Sequence, residues 1–144
     1  MISFKALARR VVRQAYGIVV IEGLMTVNNA LAILNEPVFG RVRPENRKLM
    51  LAGLYFSLFG ARGLELLHCR SQREAYQNLA NAVGGKPLTL RGYRDEFDSV
   101  CSQDRVGFPK KVLRATHLRL MRAFRDLSLA DYTTIIKGVF GILG

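Results

Sequence analysis

From Leu49 to Ala61 thirteen consecutive residues carry no charge, reading Leu-Met-Leu-Ala-Gly-Leu-Tyr-Phe-Ser-Leu-Phe-Gly-Ala. Such a run has two stable homes, a protein core or a bilayer, since its apolar side chains must leave water in either case. As a helix it spans roughly 20 Å at 1.5 Å per residue, whereas crossing a bilayer takes about 30 Å. Spanning length is reached only if Arg62 and Glu65, three apart on one face, pair or snorkel at the far boundary. A second oily stretch, Gln14 to Asn35, has Glu22 as its only charge. It has the length, but Glu22, Asn28 and Asn29 would have to face protein, because lipid cannot satisfy them. Two readings stand side by side here: membrane insertion of at least one helix, or a helical hairpin whose apolar faces bury each other with Phe56 and Phe59 in the core.

Within the uncharged run, Gly53, Ser57 and Ala61 recur every four residues, with Gly60 beside them. Small residues at that spacing let two helix backbones approach closely, so Gly53, Ser57, Gly60 and Ala61 are the predicted helix-packing positions.

Punctuation falls at Asn35-Glu36-Pro37, Arg43-Pro44, Gly84-Gly85-Lys86-Pro87 and Gly107-Phe108-Pro109, and no β-type alternation lies between. The chain therefore reads as all-α. Helix is predicted from about Ser3 to Leu34, and from about Glu45 to Val83 with a bend at Gly60 or Gly63. A break is allowed at Ser71, because Ser71-Gln-Arg-Glu74 has capping-box form. A shorter helix is predicted over Leu90 to Val100 and another from Pro109, a good first-turn proline, to Leu127. A last one opens at the capping box Ser128-Leu-Ala-Asp131 and runs to about Val139. The expected organisation is a long helical hairpin over 1–83, with one or two helices as candidates for membrane embedding, and a charged helical extension over 84–144.

The charge balance narrows the class further. Lys and Arg total 22 against 11 acids, a net charge of +11, in a chain that is 49% hydrophobic. Oily and cationic together suit a chain packed on anionic lipid, RNA or acidic protein. One acid-free cationic stretch lies toward the carboxy terminus. Between Asp104 and Asp126 there is no acid, and Lys110, Lys111, Arg114, Arg122 and Arg125 share an arc of about 120° on a helical wheel. Leu113, His117, Leu120, Phe124 and Leu127 gather opposite, and Leu118 intrudes into the cationic arc. These five cations are the predicted contacts to anionic lipid, phosphate or an acidic partner. At the other end, Lys5, Arg9, Arg10 and Arg13 interleave with apolar residues before the first acid, Glu22. A basic, acid-free, amphipathic start is the form of a mitochondrial targeting segment. Retained and ordered, it would favour a protein held inside an assembly.

Catalytic signatures are missing. Gly84-Gly85-Lys86-Pro87 fails as a phosphate loop, with Ala80 where the first glycine belongs and Pro87 where Ser or Thr belongs. Asp95-Glu96-Phe97-Asp98 lacks the spacing and turn glycine of an EF-hand; its acids are expected to pair with Arg91, Arg94 or the carboxy-terminal helix. Cys69, Cys101, His68 and His117 do not stand at zinc-ligand spacing. Neither catalysis nor a cofactor or metal is expected, and no RNA-binding signature is present.

The layout resembles the accessory subunits of mitochondrial inner-membrane complexes. Gly53-Leu-Tyr55-Phe-Ser57-Leu-Phe-Gly60-Ala-Arg62, followed by the charged Arg70-to-Glu74 stretch, is similar over about 25 residues to the small peripheral subunits e and g of the ATP synthase membrane region. It departs from them in carrying an oily helix before that stretch and some 70 residues after it. What the resemblance implies is a structural, non-catalytic subunit of an ATP synthase or respiratory complex, packing against partner subunits and an anionic phospholipid such as cardiolipin. The rival expectation is an organellar ribosomal or ribonucleoprotein component binding RNA through the same basic helix.

Overall fold

The computed structural model describes residues 25–101 and 113–142 of the 144-residue chain. The described residues form seven α-helices and one 3-10 turn: α1 Val27–Leu34, the turn Pro37–Phe39, α2 Pro44–Phe59, α3 Ala61–Leu66, α4 Gln72–Val83, α5 Pro87–Cys101, α6 Ala115–Phe124 and α7 Leu129–Phe140. The all-α expectation holds. The import-like start and the first half of the first oily stretch, both within 1–24, and Lys110 and Lys111 lie outside the described residues.

Local chemistry explains most boundaries. Thr26 caps α1 by accepting from the Asn29 amide at 3.0 Å, and Pro44 opens α2 where no intrahelical N–H is needed. The Ser71 and Ser128 hydroxyls accept from the Glu74 and Asp131 amides at 3.1 Å each, so both capping boxes start helices. The long helix predicted from Glu45 to Val83 is three helices. Its first break is Gly60, at φ +57° and ψ −130°, a conformation reserved for glycine. Its second is the turn through His68 to Ser71, with His68 at φ +58°. α5 begins at Pro87, one turn earlier than predicted, because proline is a natural first helical residue. The basic helix is shorter than predicted: α6 begins at Ala115 with Arg114 at its cap.

α2 is the central element, packed by α5, α7, α4, α3, α6 and α1. Every residue from Leu49 to Ser57 is buried. For the Leu49–Ala61 run this corrects the membrane-embedded reading. Among the described residues no helix is long and apolar enough to cross a membrane. α2 has 16 residues, about 24 Å, and its first turns carry Glu45, Arg47 and Lys48. Its uncharged run is instead enclosed by other helices of the same chain. The same core draws Leu90, Phe97, Leu120, Phe124, Tyr132 and Ile136 from beyond residue 84 and Leu51, Leu54 and Tyr55 from before it. The expected division at 83/84 therefore runs through one continuous core.

Gly53 explains the closest seam. A Cβ added there would lie 2.8 Å from Tyr93 Cβ and 2.9 Å from the Arg94 nitrogen, so α5 crosses α2 at backbone contact. Around the other side of α2, Tyr55, Phe59 and Tyr132 meet with ring centroids 5.3–5.9 Å apart. The Tyr132 hydroxyl donates to the Leu51 carbonyl at 2.7 Å, tying α7 to α2.

Candidate functional site

α6 sorts its residues onto two sides. His117, Leu120 and Phe124 are buried against the core. Arg114, Leu118, Arg122 and Arg125 face outward, with Leu118 46% exposed among the three arginines. Residues 118, 122 and 125 follow the i, i+4, i+7 spacing of one helical stripe.

The arginines of this helix differ in what holds them. Arg119 is bound to Glu36, Nε donating to Oε1 at 2.6 Å and Nη2 to Oε2 at 2.9 Å, which fastens α6 to the 3-10 turn. The guanidinium beside it holds the Glu36 carboxyl below the usual range. Arg114 donates from Nη2 to Glu96 Oε2 at 2.8 Å, although its side chain remains 65% exposed. The Arg122 and Arg125 side chains make no hydrogen bond or ion pair with another described residue. Of the three predicted contact cations among the described residues, Arg114, Arg122 and Arg125, the last two are exposed and uncommitted.

Behind this face sits His117, fully buried between the rings of Tyr93 and Phe97, whose centroids lie 6.0 and 4.8 Å away. Its Nδ1 lies 3.1 Å from Thr116 Oγ1. Nε2 approaches Glu96 Oε2 to 3.2 Å, but off the N–H direction, so the pair touches without a proper hydrogen bond. Burial pushes the imidazole pKa down, with Glu96 opposing and Arg114 assisting. His117 is a neutral core histidine, and the acid that meets it is already engaged with Arg114.

No family model, curated protein or solved structure matches this chain.

The predicted packing residues divide. Gly53 and Ser57 lie in the α2–α5 seam, where the Ser57 hydroxyl donates to Asp98 Oδ1 at 2.6 Å. Gly60 is buried at the helix break, and Ala61, beyond that break, is exposed at the start of α3. The row ends where the helix does. Among the described residues no group of three His, Cys, Asp or Glu side chains is placed to hold a metal ion. Cys69 and Cys101 are separate half-buried thiols, each raised in pKa chiefly by burial.

A buried polar network escaped the sequence reading. Arg94 is 4% exposed and Asp98 3% exposed. Arg94 Nη1 donates to the Tyr76 hydroxyl at 2.5 Å, and its Nε stands 3.7 Å from Asp98 Oδ2. The i, i+4 spacing of Arg94 and Asp98 was visible, and their pairing was expected. Their burial depends on Gly53 letting α5 sink onto α2.

Proposed function

We propose that the chain is a non-catalytic structural subunit that docks peripherally on an anionic partner through the outer face of α6. The observation that supports this is the stripe of Leu118, Arg122 and Arg125: an exposed leucine followed by two guanidinia that no acid of the described residues pairs with. An exposed face kept for solubility normally mixes signs of charge. From Ala115 to Arg125 this one carries cations and no acid beside an apolar contact, the combination that an anionic phospholipid surface rewards. The net charge of +11 adds long-range attraction to the same partner. Within this reading the natural setting is an accessory subunit of a mitochondrial inner-membrane complex, of ATP synthase or respiratory type, with cardiolipin-rich membrane and neighbouring subunits as its contacts. The role is attachment at the membrane surface.

The experiment is flotation of the full chain with vesicles of neutral phosphatidylcholine with and without cardiolipin. Binding is expected only with cardiolipin, falling steeply between 0.1 and 0.5 M salt as screening shortens to about 4 Å. Arg122→Glu with Arg125→Glu should abolish it while the helical circular dichroism is unchanged. Equal binding of wild type and double variant would refute the assignment. Preferential binding to RNA over cardiolipin vesicles would instead favour the ribonucleoprotein reading of the same face.

A further inference from the structure

Two of the five large apolar side chains exposed among the described residues flank a single ion pair. Leu118, 46% exposed, precedes Arg119 on α6; Val38, 39% exposed, stands two residues beyond Glu36 in the 3-10 turn. Isolated apolar residues on a surface are ordinary, but these two are held on either side of one clamp by the fold. Pro37, also exposed, widens the apolar surface of the turn.

Helix geometry fixes where the turn joins the α6 stripe. At about 100° per residue, Arg122 lies about 40° from Leu118 and about 60° from Arg119 around the axis. The outward side of α6 therefore runs from Leu118 through Arg122 to Arg119, where Glu36 and the packed turn take over. His117, Leu120 and Phe124 are buried on the other side. The turn borders the docking face along its Arg119 edge.

The chain leaving the turn carries the same chemistry onward. Arg41 and Arg43 are exposed on either side of half-buried Val42. The Val42 carbonyl accepts from Arg47 Nε at 2.7 Å, and Arg47 Nη1 donates to the Leu34 carbonyl at 3.2 Å. With Phe39 fully buried, these bonds set the loop in place before any partner arrives, which lowers the ordering cost of binding. Neither Arg41 nor Arg43 makes an ion pair with another described residue. Glu36 is already taken by Arg119, and Glu45 pairs with neither arginine.

We infer that the turn and the loop after it, from Pro37 to Arg43, form a second half of the membrane-docking face, with Val38 entering the interfacial layer and Arg41 and Arg43 meeting anionic headgroups. The inference rests on the docking reading of α6 and adds to it a contact about 80 positions away in sequence. Charge complementarity favours an anionic lipid surface as the occupant, and the apolar tips decide against RNA. Lipid offers an apolar layer beneath its phosphates, where Val38 and Leu118 gain, whereas RNA offers phosphates and base faces that these aliphatic side chains do not stack on.

The chain contains no tryptophan, so Val38→Trp, Leu118→Trp and Leu88→Trp each place a lone fluorescent reporter at an exposed site. With phosphatidylcholine vesicles containing cardiolipin, emission at positions 38 and 118 should shift to the blue and be quenched by brominated acyl chains, while position 88 keeps its emission in water. Arg41→Gln with Arg43→Gln should weaken flotation about tenfold or more, at about fivefold per arginine, with helical circular dichroism unchanged. Suppose binding is lost in Arg122→Glu with Arg125→Glu but unmoved by the Arg41 and Arg43 changes, and the position 38 reporter stays in water. The second contact is then overturned and the α6 reading stands. No binding by the wild-type chain overturns both. A position 38 reporter that answers to RNA and not to vesicles, or equal quenching at position 88, also refutes the inference.

Discussion

Arg119 and Glu36, separated by 83 positions in sequence, meet in a two-pronged ion pair with contacts of 2.6 and 2.9 Å. The pair clamps α6 against the turn that follows α1, and so sets how the outer stripe of α6 is presented. Both side chains are about one-third exposed, so solvent screening limits what the pair contributes. A double-mutant cycle with Glu36→Gln and Arg119→Gln is expected to give a coupling of at most about 1 kcal/mol. The pH dependence has a definite sign. The folded Glu36 pKa lies below its ordinary 4.5, so its contribution is complete above about pH 4.5 and is lost as pH falls through the folded value. A coupling indistinguishable from zero at pH 7 would show the pair to be idle.

His117 should produce a second, separate acid sensitivity. Its folded pKa is below the ordinary 6.5, so below that pH the unfolded chain takes up a proton that the folded chain resists. Stability is therefore expected to fall as pH drops from about 6.5 toward the folded value, a window that opens above that of Glu36. Thermal melts at half-unit pH steps measure the slope. In His117→Leu the slope between pH 6.5 and 5 should flatten. If it remains, another group is responsible.

Gly53→Ala tests the α2–α5 seam. In an exposed helix this change stabilises by up to about 1 kcal/mol. Here the new methyl would meet Tyr93 Cβ at 2.8 Å and the Arg94 backbone nitrogen at 2.9 Å, and neither is a flexible tip that can swing away. The expected result is a net loss of about 1–3 kcal/mol in urea unfolding, since α5 must shift outward. A more stable variant would mean that the two helices are not in backbone contact.

Tyr55→Phe removes the hydroxyl that donates to the Gly63 carbonyl at 2.9 Å and lies 2.8 Å from Thr133 Oγ1. The site is buried, and the carbonyl would lose that donor. A loss of about 1–2 kcal/mol is expected. Amide exchange should accelerate first in α3, which this bond ties back to α2. Uniform acceleration across all helices would instead indicate a purely global loss of stability.

Much of the local architecture is legible in the residues themselves. Ser71, Ser128 and Pro44 announce helix starts because caps and first-turn prolines act through the nearest few backbone groups. Gly84 and Gly141, at φ +74° and +69°, end α4 and α7 for the same local reason. The two faces of α6 follow from helical periodicity alone. What sequence could not decide was the medium around Leu49 to Ser57, because lipid and a protein core demand the same apolar residues. That choice came from six neighbouring helices, assembled from residues up to 80 or more positions away, as when Tyr132 reaches the Leu51 carbonyl. The committed charges belong to the same category. Nothing within a turn of Arg119 marks it for Glu36, or Arg94 for Tyr76, while leaving Arg122 and Arg125 exposed. Capping and periodicity are short-range and repeat wherever their residues occur. Partner choice depends on which surfaces the folded chain brings within about 3 Å of one another, and only the packed structure determines that.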